Sequence, residues 1–463
     1  MKKEIKVYMT AKDCDARLSF RAGIPFVSEK ESGKCAGNLF DPKMNMALKD
    51  SSAINVYPEM EYQTILGFGG AMTEAAALNI RKLPDGKGEE LLESYFSREK
   101  GIGYHFCRTH INSSDFGEAS YDYVEEGDIE LKTFTLKRDE EIIFPIIKSG
   151  NRYAENEIEI LATPWSPPAW MKDNNNRCEG GKLKPEYYQL WADYFVRYIK
   201  GARAKGMNVT MVSIQNEPQA FVTWDGCLYN AEEERDFLKD YLGPTLKNES
   251  LGDVKILIWD HNKDLIVERV KTIMSDKDAA KYVWGAAFHW YAGDHFFALD
   301  IVHEMYPELV LFYTEGCNGG VYRKTGQWCA GEIFAHEMFG NLNHWTSACI
   351  DWNLVLDEHG GPSYAENYCD APILADISKG TFGCESTYYY IGHFSKYVER
   401  GAKRIGSSCF TDKLEVCAFK NPDGMLVLVV MNPDDDEKET CIRCQGDLAV
   451  VVLPAHSIVT LIF

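Results

Sequence analysis

Eight short apolar runs recur through the middle of the chain, and nearly every one ends on a residue able to do chemistry. They are TILGFGG, YHFCRTHI, EIEILATPW, NVTMVSIQNEP, VKILIWDHN, YVWGAAFHWY, LVLFYTEG and HWTSACIDWN. Between them lie longer segments such as YYQLWADYFVRYIKGARAKG, whose apolar residues fall at the three- and four-residue spacing of an amphipathic helix. Eight strand-like runs alternating with helical segments predict an α/β chain folded as a (β/α)8 TIM barrel. The polar run ends then gather on the C-terminal rim, where such barrels hold their active sites. A doubly wound sheet would share the alternation, but its GxGxxG phosphate signal is missing, and Gly67-Phe68-Gly69-Gly70 reads as a tight strand-to-loop passage.

The two ends of the chain read differently. IKVYMTA and ARLSFRAG near the start are β-prone but too few to form a stable domain alone. Residues 403–463 contain SSCFTD, LEVCAFK, MLVLVVMN, ETCIRCQG, LAVVVLP and SIVTLIF, with Asn421-Pro422-Asp423-Gly424 the clearest hairpin turn. Joining both sets in one side β-sandwich would bury the apolar faces of each. The expected domains are therefore N-terminal sandwich strands in 1–45, the catalytic barrel in 46–402 and the rest of the sandwich in 403–463. A chain of 463 residues, 45% of them hydrophobic, can fill both cores.

Charge narrows the partners. Forty-nine Lys and Arg against 70 Asp and Glu give a net charge of −21, which weighs against nucleic acid and anionic membranes. No window approaches the ~18 apolar residues needed to cross a bilayer, and no signal-length apolar run follows MKKEIKVYMTAKD. The expectation is a soluble, cytoplasmic protein without stable membrane association, its oligomeric state left open. Fourteen cysteines spread between Cys14 and Cys444 read as reduced, buried thiols rather than a disulfide framework.

Two carboxylates stand at run ends, Glu217 in VSIQNEP and Glu315 in LFYTEGC, on what would be the fourth and seventh barrel strands. Nonadjacent strands can place them across a cleft, and glycoside hydrolysis needs such a pair. Trp165, Trp170, Trp290, Tyr291 and Trp352 offer faces on which a sugar could stack. Asp115, Asn216, Asp260, His261, His289 and Asn367 can hydrogen-bond hydroxyls, and Arg108 can orient a nearby carboxylate bidentately and keep it ionised. Competing chemistries lack their motifs. Cys441-Ile442-Arg443-Cys444 lies in the β-rich tail without a second CxxC, no HxxxH with an adjacent glutamate involves His105, His110, His289 or His295, and no GxSxG is present. Neither metal nor cofactor is expected.

Taken together, ILGFGGAMTEAA, FCRTHINSSDF, LATPWSPPAWMKDN, VSIQNEP, FHWYAGDHF, YTEGC, IDWNLVLDEHGGPSYAEN and YYIGHFSKYVERGAKRI resemble glycoside hydrolase family 30. The resemblance spans residues 65–405, and the terminal β regions match that family's side sandwich. It implies a retaining β-glycosidase with Glu217 as acid/base, held protonated by its surroundings, and Glu315 as nucleophile. It further implies Asn216 at the sugar 2-hydroxyl, Tyr291 on the nucleophile, His289 as a pocket contact, and Arg108, Asp115, Trp165, Trp352 and Asn367 around the nonreducing sugar. The implied partner is a small glycoside or oligosaccharide, with β-glucosides first. A β-xylosidase, β-fucosidase or β-1,6-glucanase would share the machinery, and a carbohydrate-binding protein would have no use for both glutamates. Two positions depart from the family pattern: Arg108-Thr109-His110 stands for arginine-valine-proline, and Tyr364 for a tryptophan, so lipid-linked substrates are left open.

Overall fold

The computed structural model describes residues 4–28, 52–319 and 326–463. All eight apolar runs form strands of one closed barrel: Gly67–Ala71, Phe106–Ile111, Glu159–Pro164, Val209–Ser213, Lys255–Asn262, Val283–His289, Val310–Glu315 and Thr346–Asn353. They follow one another around the barrel in sequence order, the eighth closing on the first. Neighbours run parallel, which requires a crossover between each pair, and the amphipathic segments supply helices such as Tyr188–Ala204. The first strand is glycine-rich because it passes close to the second: a Cβ at Gly69 would lie 2.3 Å from the Phe106 carbonyl oxygen. After the eighth strand a small sheet forms from Val355–Asp357, Ile373–Asp376 and Thr381–Cys384.

The chain divides into two compact units, Phe68–Thr325 with Ala348–Cys384, and Met1–Gly67 with Gly326–Ser347 and Glu385–Phe463. The second unit carries ten strands in one continuous hydrogen-bonded order: Ser19–Pro25, Glu4–Ala11, Ser457–Ile462, Leu426–Asn432, Glu415–Lys420, Lys403–Cys409, Ala53–Thr64, Lys438–Cys444, Asp447–Leu453 and Val27–Ser28. Ile5, Leu428 and Leu461 from one end share a single apolar core with Ile442, Val451 and Leu453 from the other. The sheet therefore folds over on itself, and its alternating strand residues meet face to face as a sandwich.

The domain boundary moves. Residues 53–64, expected in the barrel, form a sandwich strand antiparallel to Lys403–Cys409 and parallel to Lys438–Cys444, so the barrel starts at Gly67 rather than residue 46. Pro58 disguises this strand. A register shift between Ile405 and Gly406, opposite Glu61 and Tyr57, absorbs the proline as a bulge, and Ile54 and Val56 still alternate into the core. Of the expected N-terminal segment, residues 1–3 and 29–45 lie outside the described ones. Cys441 and Cys444 sit buried in one strand.

Helix Ser386–Ser395 of the same unit contributes His393, fully buried between two hydroxyls, Thr460 Oγ1 at 2.8 Å from Nδ1 and Thr10 Oγ1 at 2.9 Å from Nε2. Thr460 spends its own proton on the His393 carbonyl and so accepts from Nδ1–H, while Thr10 accepts from Leu18 N–H and so donates to Nε2. This network fixes a neutral ring. No helix among the described residues is long and apolar enough to cross a membrane.

Candidate active site

The fourth strand ends at Ser213, and the chain turns through Ile214, Gln215 and Asn216 into Glu217, whose φ of 46° is left-handed. A non-glycine residue there costs on the order of 1–3 kcal/mol and persists only when held. Holding comes from both neighbouring strands: Asn216 N–H donates to Pro164 O at 2.9 Å and Glu217 N–H to Asp260 O at 3.0 Å. The fifth strand is itself distorted. Trp259 and Asp260 have φ of 75° and 54°, and Asp260 is an extra residue between those opposite Ala287 and Phe288, a bulge that redirects the strand end. Buried Glu234 accepts from Trp259 N–H at 2.8 Å, and Arg269 donates to the other Glu234 oxygen at 2.8 Å while its guanidinium lies 4.7 Å from the Trp259 ring.

Asp260, fully buried, is the hub. One oxygen accepts from Thr314 Oγ1 at 2.6 Å and faces His289 Nε2 at 3.2 Å; the other accepts from Ser213 Oγ at 2.5 Å and from Arg108 at 3.0 Å. Arg108 also donates to Glu315 Oε2 and, at 2.7 Å, to Asn216 Oδ1. Tyr291 O–H donates to Glu315 Oε1 at 2.9 Å. His289 Nδ1 lies 3.1 Å from Glu217 Oε1 and 4.0 Å from Glu315 Oε1, so the two glutamates converge on one imidazole nitrogen.

These charges set the protonation. Burial pushes the His289 ring down, but Glu315, Asp260 and Glu217 overcome it and raise it to about 9. With a carboxylate at each nitrogen, both nitrogens donate and the ring is an imidazolium. Burial pushes the Glu217 carboxyl up, and the His261 and His289 imidazoles that face it reverse this and hold it well below the usual carboxylate range. The expectation that its surroundings keep Glu217 protonated is therefore corrected: the proton between them sits on His289.

Beside this cluster lies a second polar group. Asp115 is 4% exposed, and its Oδ2 accepts from Asn367 Nδ2 at 2.7 Å, while Ser363 Oγ donates to Asn367 Oδ1 at 2.6 Å. Asp115 Oδ1 has no partner among the described residues. Burial, with Glu315 and Glu217 adding repulsion against the Asn367 hydrogen bond, raises this carboxyl to about 7. Trp165 and Trp352 stack at 5.3 Å, and the Arg108 guanidinium lies 4.8 Å and 5.5 Å from their rings.

All ten expected site residues thus fall into one polar and aromatic constellation within the barrel unit. Asp260, expected to bind hydroxyls, instead has both oxygens occupied by protein groups and acts from beneath. Trp170 packs edge-on against Tyr187 at 5.1 Å. His110 is engaged by Glu74 N–H and Asn112 O, and Tyr364 accepts from Asp225 N–H, so these two departures serve the scaffold. Sequence reasoning missed Thr314 and Ser213, whose only signal was their place at strand ends, and Cys317, whose thiol lies 3.5 Å from Tyr291 O–H. No metal was expected, yet Glu217, His261 and His289 each bring one metal-competent atom within 4.8 Å of the others.

Comparison with known proteins agrees with this geometry. Residues 65–398 match the glycosyl hydrolase family 30 TIM-barrel domain and residues 401–461 the family's beta sandwich domain. The chain is 36% identical to the lysosomal acid glucosylceramidase of Mus musculus, over 88% of this chain and 82% of that one. It is 29% identical to an endo-1,6-beta-D-glucanase of Neurospora crassa, over 87% and 86% respectively. The crystal structure of SrfJ from Salmonella typhimurium superposes with a TM-score of 0.90 at 34% identity, covering 100% of this chain and 99% of that one.

Proposed function

The chain belongs to glycosyl hydrolase family 30, and from that premise we propose that Glu315 and Glu217 hydrolyse terminal β-glucosides by double displacement. Glu315 attacks C1 as the bond to the leaving oxygen breaks with its electron pair. The proton that oxygen needs is the one shared between His289 Nδ1 and Glu217 Oε1, 3.1 Å apart: Glu217 takes it and passes it on. A covalent glycosyl-enzyme results. Water then attacks C1 from the opposite side to Glu315, Glu217 takes the water's proton, and the C1–Glu315 bond breaks with retention. Asn216, held by Arg108, faces the 2-hydroxyl, and the unpartnered Asp115 Oδ1 is a ready acceptor for a hydroxyl of the nonreducing sugar. The observation that supports this reading best is the convergence of both glutamates on His289 Nδ1.

An apolar aglycone suits the rim. Phe221, Leu265, Tyr291 and Phe297 are 71, 44, 44 and 68% exposed, on segments that leave the strands carrying Glu217, Asp260 and His289. Large exposed apolar side chains at one edge favour an apolar partner. A β-1,6-glucan is the second reading, favoured by the likeness to the Neurospora crassa endo-1,6-beta-D-glucanase. Glu315→Gly should lower kcat by roughly 10⁴–10⁶-fold. Azide should restore turnover from the vacated face and give the α-glucosyl azide, whereas Glu217→Ala with azide should give the β-glucosyl azide. The opposite anomers would exchange the two roles. Comparing kcat/KM for an alkyl β-glucoside and a β-1,6-linked gluco-oligosaccharide separates the two substrate readings.

A further inference from the structure

We propose that Glu217, His261 and His289 form a binding site for a divalent transition metal ion of the zinc class, which turns the enzyme off by displacing the proton held between His289 and Glu217. Glu217 Oε1 lies 3.1 Å from His289 Nδ1 and 3.7 Å from His261 Nδ1, and all three atoms fall within 4.8 Å. Ligand atoms about 2.0–2.1 Å from a tetrahedral ion lie about 3.3–3.4 Å apart, so the two Glu217 distances bracket the required edge. Two imidazoles and a carboxylate suit zinc, cobalt and their neighbours rather than magnesium or calcium.

Two further observations set this trio apart from a chance grouping. His261 Nδ1 is buried, aimed at Glu217, and has no hydrogen-bond partner among the described residues. His289 turns its other nitrogen to Asp260 at 3.2 Å, the carboxylate-histidine-metal arrangement that orients imidazole ligands in zinc sites. Thr314, Ser213 and Arg108 fix Asp260 in turn. The fourth position is left to water or to the leaving-group oxygen. Inhibition rests on Glu217 being the acid/base; binding of the ion does not.

The full chain titrated with Co2+ should show d–d bands of nitrogen and oxygen ligation, without thiolate charge transfer. His261→Asn should weaken cobalt binding by at least about tenfold, and Asp260→Asn by about 10–100-fold, the range for losing an outer-shell partner. Glu217→Gln, nearly isosteric, provides a second variant if His261→Asn fails to fold. Zn2+ should inhibit hydrolysis reversibly to added chelator, and His261→Asn should be less sensitive by the factor measured with cobalt. A thiolate spectrum, or wild-type cobalt affinity in both His261→Asn and Glu217→Gln, overturns the site. Unaltered cobalt behaviour with zinc-insensitive hydrolysis leaves the site standing but removes its regulatory role and the acid/base assignment with it.

Discussion

Two histidines of this protein are equally buried, yet one is neutral and the other charged. His393, in the sandwich unit, meets two threonine hydroxyls and is pushed down to about 3 by burial alone. His289, at the barrel mouth, meets two carboxylates with a third at 4.0 Å and is raised to about 9. Burial acts downward on both. The difference lies wholly in the partners, and it separates a ring that ties strands to a helix from a ring that holds a proton between carboxylates. A buried histidine is thus read by what faces its two nitrogens, not by its depth.

The most severe way to break the contrast is Asp260→Asn, which removes the charge beneath both His289 and Arg108. We expect kcat to fall by about 10³-fold, the upper end for losing one preorganised electrostatic group. The basic limb of the pH–rate profile should also move from about 9 toward the ordinary histidine value of ~6.5. A limb that stays put would detach His289 from its carboxylates. His289→Asn should cost about 10²-fold in kcat and abolish that limb. Because the folded value lies above the unfolded ~6.5, the stability His289 contributes is fully present below pH ~6.5 and is lost as pH rises through about 9. Thermal unfolding of the wild type should therefore fall more steeply over that window than in the variant.

The smallest expected effect comes from the other ring. His393→Leu leaves two buried hydroxyls short of a partner, costing about 1–3 kcal/mol of stability with kcat unchanged. Here the sign reverses: the folded value is depressed, so the neutral ring's contribution is present above ~6.5 and lost as pH falls toward about 3. Loss of kcat would show that His393 does more than join strands.

The sequence made the barrel readable because each strand is a short apolar run that ends on a polar residue, a pattern written locally. Glu217, Glu315, Arg108 and Tyr291 were readable for the same reason. Strand Ala53–Thr64 was not, since Pro58 argues against a strand and only its partners show how a bulge absorbs it. The role of Asp260 was hidden because its partners Arg108, Thr314 and Ser213 come from three other strands. The charge of Glu217 was misread because burial alone predicts a protonated acid, and the two opposing imidazoles arrive from strands five and six.

The backbone of Glu217 is tied to Pro164 and Asp260 through Asn216 and its own N–H, both upstream of Pro218, and the bulge beneath is pinned by Glu234 and Arg269. The loop that follows is tied in at its two ends, Ala220 N–H donating to Glu217 O and Tyr229 N–H to Pro218 O, each at 2.9 Å. Between those ties Phe221 is exposed and can change while Glu217 keeps its position, so on the proposed reading selection on what the sugar is attached to and selection on how its bond is broken act on separable side chains.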